Sequence, residues 1–207
     1  MSAEMIRDLA LHVSGLMDPT IGGPSAKPYQ PPGLWKELTN RKGFQQVYQA
    51  DSGPGLYRRG LYTFWKRAAH HPMMSTFDAP NREVCSFSRS TTNTPLQALV
   101  LLHDPQFVEA ARVLASELVA SIPEPDLRIR RALVSILARE PSDKELKLLG
   151  DLYLVERRRF QQNPEEADAL LSVGEYPPPQ AGDRTDIAAT TMVVRAILNL
   201  SETITKH

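Results

Sequence analysis

The chain has 207 residues with equal numbers of basic and acidic side chains, 24 each, and 42% apolar residues. That length supports one sizeable core, and the apolar content excludes wholesale disorder. No apolar run approaches the roughly 20 residues of a membrane span, and the single cysteine excludes an internal disulfide framework and multi-cysteine metal sites. Seventeen prolines against eleven glycines imply stiff, extended connections.

In chain order, Met5, Ile6, Leu9, Val13 and Leu16 stand at helical spacing and predict a first helix from Ser2 to about Met17, stopped by Asp18-Pro19. The N-terminus carries acids early and lacks the basic and apolar regions of a secretory signal. A Pro/Gly stretch follows from Ile21 to Gly33, which reads as a loop crossing the surface in fixed, extended form or as a cradle that offers Tyr29 and Gln30 to a ligand. Leu34 to Leu38 predicts a short helix anchored by Trp35, and Asp51 to Gly55 a turn. Residues 56–66 are rich in aromatics, but both faces are apolar, so helix and strand stay open.

From Thr94 the helical signals sharpen. Thr94-Pro95-Leu96-Gln97 is a capping box with proline at the first helical position, and the helix it opens is apolar nearly all round, which predicts burial. Asp104-Pro105 restarts the chain as a helix with Phe107, Ala111, Leu114 and Leu118 inward and Glu109, Arg112 and Glu117 outward. Leu127 to Arg139 is a third helix, burying Ile129, Leu133, Ile136 and Leu137. Ser142-Asp-Lys-Glu145 caps a fourth through about Phe160, with Leu146, Leu149 and Tyr153 inward, and Asn163 caps a short fifth. After a loop through Pro177-Pro-Pro179 and Gly182, a last helix from Asp183 to Ile204 reads as the core helix. The expected fold is therefore mainly α: an irregular helical bundle over 94–207 with a Pro/Gly-rich, loop-rich N-terminal half over 1–93, together forming a single domain over 1–207.

Between Lys27 and Arg89 ten basic residues face four acidic ones, so the rest of the chain is net acidic by the same margin. The two parts are expected to pack together; nucleic-acid binding asks for a denser basic face. The residues able to carry chemistry gather between 70 and 104. His70 and His71 are adjacent, so their rings point apart rather than chelating one metal, and they suit a structural role or single general-base work. Met73 and Met74 read as gap-filling core side chains rather than thioether ligands. Asp78, Arg82, Glu83, Arg89 and Asn93 form either an acid/base set organised by arginine or a loop held by ion pairs and turn bonds. Cys85 reads as a buried thiol; as a nucleophile it would need a base such as His103 or His70. Phosphate-loop, dinucleotide, nucleophile-elbow and zinc-protease fingerprints are absent.

Four stretches carry a resemblance: Gly22 to Trp35, Arg58 to Lys66, Met74 to Cys85 and, most tellingly, Thr92-Asn-Thr-Pro-Leu-Gln-Ala-Leu-Val-Leu-Leu-His-Asp-Pro-Gln-Phe-Val-Glu-Ala-Ala-Arg112. Weaker echoes at Arg139-Glu-Pro-Ser and Leu198 to Thr203 extend it over nearly the whole chain. Together they resemble the planctomycete-type C-terminal domain of unknown function, found in large secreted bacterial proteins behind cytochrome c modules. The family pattern has aspartate, arginine and asparagine where this chain has Asn81, Ser88 and His103; the change at 81 leaves Asp78 and Glu83 as the loop's carboxylates. The resemblance implies a C-terminal fragment of a longer, periplasmic or extracellular protein. Its partners would be upstream domains of the same parent, with haem c in that upstream part and no cofactor in this chain. It is compatible with an oxidoreductase module acting on carbohydrate-like matter, with a small-molecule or glycan ligand. It is equally compatible with a non-catalytic module that docks an upstream domain, and whether this chain is an enzyme stays open.

Overall fold

The computed structural model describes residues 1–38 and 47–205; Arg41 and Lys42 of the basic segment lie outside them. Ten α-helices and two 3-10 turns make up the regular structure among the described residues, with no strand longer than an isolated bridge. The mainly α expectation is met.

Helix α1 spans Ala3–Val13, capped by the Ser2 side chain accepting from the Met5 amide. It ends a turn earlier than its apolar spacing suggests, because Gly15 takes a left-handed φ of 72° and turns the chain away. Helix α2, Leu34–Leu38, buries Trp35 as expected. Residues 56–66 resolve as neither helix nor strand. They form 3-10 turns at Gly53–Tyr57 and Gly60–Tyr62 and touch the proline-rich loop through single bridges, Asp18 to Arg58 and Ala26 to Thr63. Buried Arg58 organises that loop, donating to the carbonyls of Gly22 and Pro24 while its guanidinium lies 4.2 Å from the centre of the Tyr62 ring. Helix α3, Pro72–Thr76, buries Met73 and Met74 as core side chains.

Helix α4, Pro95–His103, opens on the Thr94/Gln97 capping box. Its all-round apolar surface is not all buried: Leu101 is 2% exposed, but Leu96 and Leu99 are 56% and 52% exposed. Helix α5, Pro105–Ser121, starts on the Asp104 side chain. Helix α6, Pro125–Leu137, stops where Ala138 turns left-handed, which leaves Leu137 only half-buried. Helix α7, Asp143–Gln162, carries the Ser142/Glu145 capping box. Helix α8, Pro164–Leu171, follows without a side-chain cap, since the Asn163 amide donates back to the Arg159 carbonyl instead. Helix α9 covers Arg184–Leu198 and helix α10 Ser201–Ile204; the predicted single helix is broken between them, where Leu200 takes an extended conformation.

Helix α9 is the central element. It packs against α4, α5, α6, α7 and α8, and its Ala188, Ala189, Val193, Val194 and Ile197 are buried. Small residues on α5 and α9, Ala111 and Ala115 against Ala189, let the two axes approach closely and seat Leu114, Leu118 and Leu133 in one cluster. Emptying such a fully buried position, as in Leu133→Ala, costs about 2–5 kcal/mol. A second cluster joins the N-terminal half to this bundle: Ile6, Ala10 and Leu11 of α1 meet Leu56, Met74 and Phe77, and then Leu101 and Phe107. Arg7, fully buried in the same place, donates to the carbonyls of Arg58 and Leu56 and to Gln106 Oε1. One cation thus ties α1, the 3-10 segment and the start of α5.

Candidate functional site

Residues 78–93 leave α3 and return to α4 as one exposed loop, and its base is stapled by side chains. Asp78, at a left-handed φ of 58°, turns its carboxylate onto Thr92, accepting from the amide at 2.8 Å and from the hydroxyl at 2.7 Å. Gln97, buried in the first turn of α4, donates to the Thr76 carbonyl at 2.9 Å and to Thr92 Oγ1 at 3.1 Å. Both ends of the loop are thereby held by one short polar chain, an arrangement that costs little entropy once α4 is capped.

Two lateral anchors follow. Trp65 donates through Nε1 to the Asn81 carbonyl at 3.0 Å. The His70 ring stacks on its indole at 5.0 Å, and the Arg82 guanidinium lies 4.8 Å from the ring centre. On the other side Arg89 reaches Glu4 of α1 at 2.6 Å. Burial by itself would raise the Glu4 carboxyl; the Arg89 hydrogen bond, with the backbone and Ser2, outweighs it and holds the group below its ordinary range. The Arg89–Glu4 and Arg59–Asp8 pairs join the basic segment to acids of α1, in line with the expected packing of the two.

The seven candidate residues therefore part company. Asp78, Arg89 and Asn93 line one cavity of about 330 Å³ between the loop base, α1 and α10. Arg82 and His70 are spent on Trp65, and Glu83 stands 3.9 Å from Arg67. His71 is buried, its Nε2 on the Tyr29 carbonyl at 2.9 Å; desolvation, beyond what that bond restores, pushes the imidazole down to about 4. Among the described residues no carboxylate or imidazole bonds to Asp78, whose partner is Thr92, so the acid/base arrangement lacks its second member there. Among the described residues no group of three or more His, Cys, Asp or Glu could hold a metal ion, and no helix is long and apolar enough to cross a membrane.

Beyond these anchors the loop tip is open. Phe87 is fully exposed and Val84 72% exposed, and Cys85 stands in solvent rather than in the core. The thiol was expected inside because lone cysteines usually pack as small apolar groups; here its neighbours in sequence have no element to fold against.

The chain's most elaborate polar cluster sits where the sequence predicts an outward helix face. Glu109 of α5 is fully buried and accepts from Tyr57 Oη at 2.8 Å, from Tyr29 Oη at 3.1 Å and from the Tyr176 amide at 2.7 Å. Arg112, one turn on, is also buried and donates to the carbonyls of Val173, Tyr176 and Pro177. Desolvation, followed by the hydrogen bond to Glu109 and its charge, raises the Tyr57 hydroxyl well above its ordinary range, and Tyr29 moves the same way. One local signal pointed to this burial: Val108, Ala110, Ala111, Val113 and Ala115 leave the helix apolar on most of its circumference. All donors around Glu109 are used within the fold, so the cluster reads as a clasp for the 173–177 segment.

Neither a curated protein nor a solved structure matches the chain. A family model described as PSD1, protein of unknown function (DUF1553), matches residues 1–153. That span runs from α1 into α7 and takes in the stapled loop, its anchors and Glu109 with Tyr29 and Tyr57, but not the 173–177 segment, and so places this chain in the DUF1553 family of proteins of unknown function.

Proposed function

We propose that this chain is a non-catalytic docking module that binds another protein domain through the tip of the 78–93 loop. The observation that carries the reading is the contrast within that loop: its base and flanks are fixed to α1, α4 and Trp65, while Phe87 and Val84 are exposed among the described residues. A pinned base carrying exposed apolar side chains is how binding loops lower the entropy lost on association. The resemblance read in the sequence supports, as the partner, an upstream domain of the same parent polypeptide, in an extracytoplasmic protein with haem c. An oxidoreductase site in this loop finds less support, since the loop's carboxylates are already committed to Thr92 and Arg67.

Hydrogen exchange on the full-length parent polypeptide, against this chain alone, tests the proposal. Slower exchange over 83–88 in the parent, lost in Phe87→Asp, supports docking. Equal exchange in both forms overturns it.

A further inference from the structure

A groove of about 530 Å³ runs between the proline-rich loop and the α4–α5 junction, on a different set of residues from the exposed loop. Its size falls in the range of small-molecule sites. Its walls are stiff: Pro31, Pro72 and Pro105 come from three separate segments. Two tyrosines line it with both ring tips already tied. Tyr29 Oη is held by Glu109 and the Glu175 amide, and Tyr48 Oη donates to the Pro28 carbonyl while its ring meets Trp35 edge-on at 5.0 Å. Flat, immobile aromatic walls favour a flat ring between them, because neither partner then loses rotamer freedom.

Two polar groups in the groove are incompletely matched. Gln30 Nε2 is buried with no hydrogen-bond partner among the described residues and calls for an acceptor. The Asp104 carboxylate, half-buried at the α4–α5 joint, takes the Gln106 amide at 2.9 Å and has acceptor capacity left for a donor. A carboxylate ligand would meet Asp104's like charge. An ammonium would supply no acceptor for Gln30 and would enter the field of the buried Arg7 guanidinium, which interacts electrostatically with Asp104. A neutral amide carries both a donor and an acceptor.

We propose that this groove is a binding site for a small neutral ring compound bearing an amide, its ring between Tyr29 and Tyr48 and its head group serving Gln30 and Asp104. Met73, buried and on the groove wall, is the reporter. The chain, labelled with ¹³C-methyl methionine, is titrated with benzamide and, separately, with benzoate, while its melting temperature is followed. A saturable shift of the Met73 methyl with benzamide, at least five-fold tighter than with benzoate and at least five-fold weaker in Gln30→Leu, is the expected result. Leu99→Trp, a substitution at the half-exposed rim that leaves the core alone, abolishes the shift. No saturable shift, equal affinity for benzoate, or unchanged binding in Leu99→Trp each overturns the proposal.

Discussion

Tyr57 Oη lies 2.8 Å from Glu109 Oε1 and donates to it inside the protein, so a residue from a 3-10 turn is bonded to a helix 52 positions away. The bond is one of three that converge on the same carboxylate and join the N-terminal half, α5 and the 173–177 segment at a point without solvent.

Removing that acceptor strands two phenol hydroxyls and an amide in a dry place. Glu109→Ala is expected to destabilise the chain by about 3–5 kcal/mol, and Glu109→Gln by about 1–3 kcal/mol because shape and one acceptor persist. Gly174→Ala reaches the same cluster from the other side: a β-carbon there would collide with the Glu109 carboxyl group, at a φ of 91°. Urea melts of the three variants are the check, and a Gly174→Ala protein as stable as the parent would contradict the clasp.

The Asp78 staple is a local device. Asp78→Ala should cost only about 1 kcal/mol in global stability, yet raise amide exchange across 79–92 by at least ten-fold without touching α9. An unchanged loop would mean that Gln97 and Arg89 hold it unaided.

His71 gives an acid-side signature. Its imidazole sits near 4 in the folded chain, below the ordinary 6.5, because burial disfavours the cation. The unfolded chain therefore takes up the proton first. The stability this group contributes is complete above pH 6.5 and is lost as pH falls through 4. His71→Phe should flatten the drop in stability between pH 7 and 4.5 by about 2–3 kcal/mol, measured by denaturant melts at the two values.

Asp104 acts in the opposite direction. Burial lifts its carboxyl to about 6, against the pull of the Gln106 amide and of Arg7. Its share of stability is full below about pH 3.8 and is lost as pH rises through 6. Asp104→Asn keeps the cap on α5 and removes the charge, so it should stabilise the chain by about 1 kcal/mol at pH 7.5 and bring no gain at pH 4. A variant less stable than the parent at pH 7.5 would show that the carboxylate's attraction to Arg7 dominates.

What could be read from the sequence was what short range controls. The boxes at Thr94/Gln97 and Ser142/Glu145 bond residues three apart, so each is present in the sequence before any folding. Apolar spacing found the buried sides of α5, α6 and α9 for the same reason. Residues 56–66 gave no period because their conformation is set by Arg7 and Arg58 binding backbone carbonyls, contacts that span 34 to 51 positions. Glu109 and Arg112 misled for a related reason: a charged pair at helical spacing looks like a solvated face until Tyr29, Tyr57 and 173–177 fold over it. Within the candidate site, Asp78 and Arg89 were identifiable as polar anchors, but their partners Thr92 and Glu4 are chosen by tertiary structure. Cys85 was misplaced because its exposure depends on the whole loop standing off the core.

The centrality of α9 bears on any shortened version of the protein. The region shared with the family stops at residue 153, inside α7, whereas the helix that covers Ala111, Leu114, Ala115 and Leu118 begins at Arg184. A polypeptide cut at that limit would keep the loop and the groove but turn the widest apolar face of α5 outward, an adhesive surface that favours self-association over the monomer. Residues 154–205 thus act as the lid of the core on which the recognisable part is built.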